Sequence, residues 1–250
     1  ITPLREGGSL PAVIEADDDR KYVMKFVGAG QGAKVLTAEV IAGAIAERIG
    51  LNLPAMTLLS LDPVMAQTER HEEIMDLLRA SSGTNLGFRF LEQAFPYNPL
   101  LNPQPMEDVT ASLIVWLDSY IMNVDRTSRN VNILIAEGKV WVIDHGAAFF
   151  FHHTWDNLPD RPRSPFQFVR EHTLLPIASE LEEVDKLVHE QLEDDFLREV
   201  VNLPPDEWLE FDDRIGDAAA QREAYFDFLR SRRDHSAIFV QEALRARASL

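Results

Sequence analysis

The sequence predicts a two-lobed α+β protein: a small antiparallel-sheet lobe over residues 1–92, a linker over 93–105, and a mostly helical lobe over 106–250. Three observations carry this reading. The first ninety residues alternate short β-patterned runs with turn formers and hold one long amphipathic helix. Residues 95–105, with four prolines and two asparagines, then interrupt the pattern. Beyond them, apolar residues recur at helical spacing almost to the C-terminus, broken by one short hairpin.

Residues 10–15 and 21–27 flank Ala16-Asp17-Asp18-Asp19-Arg20, a run of turn formers, and so form a hairpin. A glycine-rich stretch, Gly28-Ala29-Gly30-Gln31-Gly32, leads into a helix predicted over 34–49. Its face carries Val40, Ile41, Ala44, Ile45 and Ile49, and Gly50 stops it. Residues 56–61 and 87–92 read as further strands, with a short helix over 72–79 between them. After the linker, a helix over 107–122 places Val109, Leu113, Trp116, Leu117, Tyr120 and Ile121 on one side. Glu107 and Asp108 suit the positive end of its dipole. A polar loop over 123–130 opens a hairpin of 131–135 and 140–143, turning through Ala136-Glu137-Gly138-Lys139. From 177 on the chain is helical, with Leu181, Val184, Val188, Leu192 and Phe196 in series. Pro204 and Pro205 break it before helices over 217–230 and 237–247.

Composition excludes several classes. Hydrophobic residues at 46% and charged residues at 26% are ordinary for a globular chain. No apolar stretch approaches the 18 or so residues of a membrane span. Zero Cys excludes disulfide frameworks, thiolate metal sites and Cys nucleophiles, and fits a cytoplasmic location. A formal charge of −17 opposes direct nucleic-acid binding and anionic membranes. The chain begins with Ile rather than Met, which reads as a fragment or a trimmed chain.

The chemistry concentrates in Asn123-Val-Asp-Arg-Thr-Ser-Arg-Asn130 and Ile143-Asp-His-Gly146. Asp125 follows a helix, Asn130 stands five residues later at the mouth of a hairpin, and Asp144 ends the second hairpin strand. Phosphoryl transfer wants this set. One carboxylate orients the attacking group or accepts its proton, while an amide and a second carboxylate hold Mg²⁺ against the phosphates. A hairpin brings Asn130 and Asp144 to one point.

Two rival motifs point elsewhere. Gly28-x-Gly30-x-x-Ala33 fits a dinucleotide fingerprint between strand and helix. However, a buried parallel strand would not carry Lys25, a tight turn makes the preceding pair antiparallel, and no series of βα units follows. His152 and His153 are adjacent, so on an extended segment their side chains diverge; they read as surface or loop residues rather than a metal site. The run Ala147-Ala-Phe-Phe-Phe151 reads as core packing.

The 123–146 segment resembles the catalytic and metal-binding loops of the protein-kinase-like superfamily, and within it the HipA-like kinase family, with kinship to phosphoinositide 3/4-kinases. Asn-x-Asp at 123–125 leans toward the HipA-like pattern, while Asp125-Arg126 and Ile143-Asp-x-Gly146 lean toward the phosphoinositide kinases. The resemblance spans roughly residues 5–150. It implies a bilobal protein-kinase-like fold and an ATP- and Mg²⁺-dependent kinase, with Asp125 catalytic and Asn130 and Asp144 binding metal. It further implies that Lys25, in Tyr22-Val-Met-Lys-Phe26, holds phosphates and pairs with Glu39, with Glu47 as the rival partner. Adenine would lie against Leu91-Glu92-Gln93-Ala94, which makes Gln93 a nucleotide contact.

Two features depart from the pattern. The only glycines for a phosphate-covering loop are in Gly7-Gly8-Ser9, where Ser9 is a positional candidate for nucleotide contact and regulatory phosphorylation, and His145 stands where Phe is usual. The implied acceptor is a hydroxyl, protein Ser/Thr favoured over lipid or small-molecule hydroxyls, and a partner protein is possible. The alternative is a nucleotide-binding pseudokinase acting as a regulatory module.

Overall fold

The structure is a computed structural model and describes residues 2–3, 11–30, 32–98 and 106–250. Leu10, Gln31 and residues 99–105 of the predicted linker lie outside the described residues. Strands β1 (Thr2–Pro3), β2 (Ala12–Glu15), β3 (Lys21–Lys25), β4 (Met56–Leu61) and β5 (Gly83–Arg89) form one sheet in the order β1-β2-β3-β5-β4. Every neighbouring pair in it is antiparallel. The dinucleotide reading of the Gly28 stretch needs a parallel β-strand pair, which the described strands do not contain.

The β2–β3 hairpin turns where the sequence places it, with Ala16 N–H donating to Arg20 O at 2.9 Å and Asp19 in the left-handed region. Two strand limits move. β3 ends at Lys25 rather than residue 27, because the Val27 N–H leaves the ladder for the Asn85 side chain at 2.8 Å. β5 spans 83–89 rather than 87–92. Ser81-Ser82-Gly83-Thr84-Asn85 has turn composition, but pairing from Leu61↔Gly83 to Met56↔Phe88 runs the whole length of β4 and overrides it. Asn85 tolerates complete burial there because its amide donates to Ser81 O and Gly83 O.

Helix α1 (Ala33–Arg48) is buried on more than the single face predicted. Leu36 and Val40 pack with Leu86 and Phe88 of the sheet, whereas Ala38, Ile41, Ala42 and Ile45 belong to the large core that contains Trp116. The helix therefore serves both lobes. The opposite sheet face is covered by α2 (Met65–Thr68) and α3 (Glu72–Ala80), with Leu78 packed among Met24, Phe26 and Leu61.

The helical part is built on α4 (Asp108–Tyr120), with α5 (Leu181–Gln191), α6 (Asp194–Val201), α7 (Ala218–Asp234) and α8 (Ala237–Ala248). Val109, placed on the apolar side of α4 by its spacing, is exposed instead, whereas from Ile114 to Tyr120 every residue is buried because neighbours surround the helix. The predicted long apolar series breaks at Leu192, so Phe196 lies on α6. β6 (Phe95–Pro96), β7 (Ile133–Ala136) and β8 (Lys139–Val142) form a second sheet in that order. The start of the proline-rich stretch thus pairs with the hairpin, Phe95↔Ile135, at an edge where proline is tolerated.

Residues 147–177 hold short 3-10 turns. As the sequence predicts, Phe149 and Phe151 are core residues, set edge-to-face against each other and packed on Phe228. This irregular segment is pinned by Arg232, fully buried on α7, whose guanidinium donates to Ser119 O, Tyr120 O, Pro162 O and Ser164 O. Arg232→Met would leave those carbonyls without their donor, so it should lower unfolding stability by about 3 kcal/mol or more. Denaturant titration checks this; a loss below about 1 kcal/mol would contradict the pinning role.

Candidate active site

The site starts on β3, where Lys25 is 6% exposed. Lys25 Nζ pairs with Glu39 Oε1 of α1 and donates to Asp144 Oδ1 at 2.7 Å. Glu39 is fully buried, and its second oxygen accepts the His145 N–H at 2.9 Å. Glu47, two turns further along α1, is exposed and lies away from Lys25. One ammonium therefore joins the first sheet, its helix and the end of the second hairpin. Burial pulls against the charge on Lys25, but the two carboxylates outweigh it and raise the pKa. Burial also acts to raise Asp144, yet Lys25 prevails and holds its carboxyl down at about 2. Asp144 itself is in the left-handed region, and its side chain is 41% exposed.

Gly146 allows α1 to come this close. A Cβ there would lie 2.6 Å from Val35 Cγ1 and 3.2 Å from Glu39 Oε1. His145, next to Gly146 in the chain, is fully buried, and among the described residues its ring nitrogens make no hydrogen bond; burial, with Arg126 adding to it, lowers its pKa to about 3 and keeps it neutral.

The loop after α4 hangs on Asp118, a fully buried carboxylate. Its Oδ2 accepts from Arg126 Nε at 2.5 Å and His172 Nε2 at 2.9 Å, and its Oδ1 accepts from Asn123 Nδ2 at 2.9 Å. His172 Nδ1 accepts the Leu174 N–H at 3.1 Å, so the ring proton sits on Nε2 and points at Asp118. Burial alone would raise Asp118, but Arg126 and His172 hold it well below the usual carboxylate range. Arg126 also donates to Asn132 O and to Ile143 O, tying the loop to both strands of the hairpin.

Held by this frame, Asp125 accepts the Asn130 Nδ2 at 2.6 Å and donates its N–H to Asn123 Oδ1 at 3.2 Å. Partial burial raises its pKa, and the charge of Asp144 adds to the rise, while the hydrogen bond from the Asn130 amide opposes it. A cleft of about 1260 Å³ opens here, lined by Lys25, Asp125, Arg129, Asn130, Asn132 and Asp144. Val23, Phe88, Leu91 and Ala94 give it an apolar side.

The structure thus brings Lys25, Glu39, Asp125, Asn130 and Asp144 together. It does not bring Gln93 to them. That side chain is exposed in a left-handed turn, outside the cleft lining, while its neighbours Leu91 and Ala94 do line it. Ser9, Gly7 and Gly8 lie outside the described residues. His152, read from the sequence as a surface or loop residue, is instead fully buried, because the fold seats it beside Tyr225, whose hydroxyl meets its Nδ1 at 2.8 Å.

The sequence reading missed Asp118, Arg129, Asn132 and His172. A carboxylate on the buried side of an apolar helix was the available signal for Asp118. Among the described residues no group of three or more His, Cys, Asp or Glu is placed to hold a metal. Asn130 and Asp144 offer an amide and a carboxylate, hard oxygen donors suited to Mg²⁺, which takes the rest of its shell from phosphates and water. The nearby Asn132 Nδ2 is buried and has no hydrogen-bond partner among the described residues.

A two-lobed fold with a buried Lys–Glu pair set against a hairpin carboxylate defines a kinase-like protein. The chain belongs to the HipA-like kinase family, whose profile matches residues 1–235. Its structure is similar to that of the Helicobacter pylori proinflammatory kinase CtkA, with a TM-score of 0.59 at 11% identity, covering 100% of this chain and 95% of that one. No curated protein matches the chain.

Gly146→Ala should force Val35 and Glu39 apart from the hairpin and cost about 1–3 kcal/mol of stability, read as a lower denaturation midpoint. An unchanged midpoint would contradict the close approach.

Proposed function

We propose that this chain is an ATP- and Mg²⁺-dependent kinase that transfers the γ-phosphate to a hydroxyl, with protein Ser/Thr the favoured acceptor. The observation that carries it is the convergence of Lys25, Asp125, Asn130 and Asp144 on one cleft, with Glu39 buried behind Lys25. In this reading residues 1–92 and 106–250 are the two lobes, and 93–105 joins them. Adenine lies on the apolar side of the cleft, near Leu91 and Ala94. Lys25 holds phosphate oxygens and Glu39 orients it.

In this reading Asp125 orients the acceptor hydroxyl and takes its proton as the oxygen attacks the γ-phosphorus. The new O–P bond forms as the bond to the departing ADP oxygen breaks. Asn130 keeps Asp125 in place through its 2.6 Å bond, and with Asp144 would hold Mg²⁺. The ion would neutralise phosphate charge when bound. Arg129 on the cleft wall adds a further cation to a protein that is otherwise strongly acidic.

Incubation with γ-labelled ATP, Mg²⁺ and Ser/Thr peptides tests the reading directly. Asp144→Asn should abolish transfer and weaken Mg²⁺-dependent ATP binding while the protein stays folded. Full turnover in that variant would rule the kinase assignment out.

Asp125→Asn should leave ATP affinity within a few fold and cut transfer by about 10²-fold or more. Because the Asp125 pKa is raised, wild-type activity should fall on acidification earlier than an ordinary carboxylate would dictate. The charged form is the base and is lost as pH drops, so the acid limb of the pH profile should vanish in Asp125→Asn. A wild-type protein that binds ATP and transfers nothing would support the regulatory pseudokinase instead.

A further inference from the structure

Residues 203–217, between α6 and α7, take no part in the chemistry above, yet they cross back onto the first sheet. Trp208 is 3% exposed and completes an apolar cluster made by Leu36 and Val40 of α1 with Leu86 and Phe88 of β5. Its indole N–H donates to Thr84 O of β5 at 3.1 Å. Four residues later, Asp212 Oδ2 accepts from Lys34 Nζ at 3.1 Å. Lys34 also donates to His152 O at 2.6 Å and lies over the Trp155 ring, on the segment that follows Asp144.

The shape of this crossing is set from the helical side. The buried Gln221 amide donates to Glu210 O at 2.6 Å, Arg222 donates to Pro204 O at 2.9 Å, and Asp217 caps α7 by accepting the Ala220 N–H at 2.9 Å. A segment rigid at its base thus grips α1 at its first turn, about one and a half turns before Glu39. At this rotation and depth of α1, Glu39 reaches both Lys25 and the His145 N–H. Swinging the helix away would withdraw a large indole from an apolar cluster and leave Lys34 and Asp212 apart.

We propose that residues 203–217 form a strap that holds α1 in its transfer-competent place, with Trp208 and the Lys34–Asp212 pair acting as positioning residues through Glu39. Alignment of the site is thereby built into the resting chain. The proposal rests on the kinase reading for its effect on turnover, and its hold on α1 is measurable without that reading.

The test uses Lys34→Met, Lys34→Arg, Asp212→Asn and Trp208→Phe, with melting curves to show that each folds. Two measurements are made on the whole chain: hydrogen exchange of the α1 amides, and kcat and KM for ATP. Lys34→Met should speed exchange in the first turns of α1 and lower kcat by about tenfold with KM changed less. Lys34→Arg should restore most of both, because it keeps the cation.

On a Glu39→Gln background, Lys34→Met should cause little further loss, since both act on one alignment. Unchanged α1 exchange in both Lys34→Met and Trp208→Phe would overturn the strap. So would a kcat loss that adds in full to that of Glu39→Gln. If the wild-type protein transfers no phosphate, the kinase reading fails, and α1 exchange alone then decides whether the strap holds the helix.

Discussion

Lys25 Nζ lies between two carboxylates that come from different parts of the chain, Glu39 on α1 and Asp144 after β8. Desolvating an ammonium is costly, and only close anionic partners offset that cost. Neither partner can move without stranding the charge. The triad therefore forms only when sheet, helix and hairpin are mutually in register, and it couples the placement of the two lobes. With both carboxylates ionised the group carries one net negative charge, and the part of it that faces the cleft is Asp144. A nucleotide's metal would meet that carboxylate in the proposed reaction.

A second buried group, Asp118 with Arg126 and His172, does structural work of a different kind. It is closed to solvent and its polar atoms face inward. Through Arg126 it reaches carbonyls beside both hairpin strands, and so it fixes Asp125 relative to Asp144. The two groups divide the site: one keeps geometry in the dry interior, the other presents charge to the cleft. Family membership and overall likeness to a solved kinase agree with this architecture.

Much of this was legible in the sequence where a local rule governs. The Ala16–Arg20 turn, the presence of helices at α1 and α4 and the Asp125, Asn130, Asp144 spacing all follow from short-range patterns, whereas the burial of both helices on more than one face does not. Glu39 was preferred over Glu47 only from its early place in the helix, and the structure sets it against Lys25. What was not legible depends on partners remote in sequence. β5 begins at Gly83 because β4 is there to pair with it. Asp118 is bearable inside α4 only because Arg126 and His172 reach it. Trp208 looks like any aromatic near a proline break until the fold lays it on the first sheet. Gln93 was chosen by position along the chain, and a left-handed turn points its side chain to solvent.

The most direct test of the central claim is a crystal structure of the chain with a non-hydrolysable ATP analogue and Mg²⁺. The account predicts a metal ion coordinated by Asn130 and Asp144 at about 2.1 Å, phosphate oxygens on Lys25, and Glu39 still paired with that lysine. A nucleotide seated with its phosphates on the Gly28–Gly32 stretch, and no metal at Asp144, would contradict it.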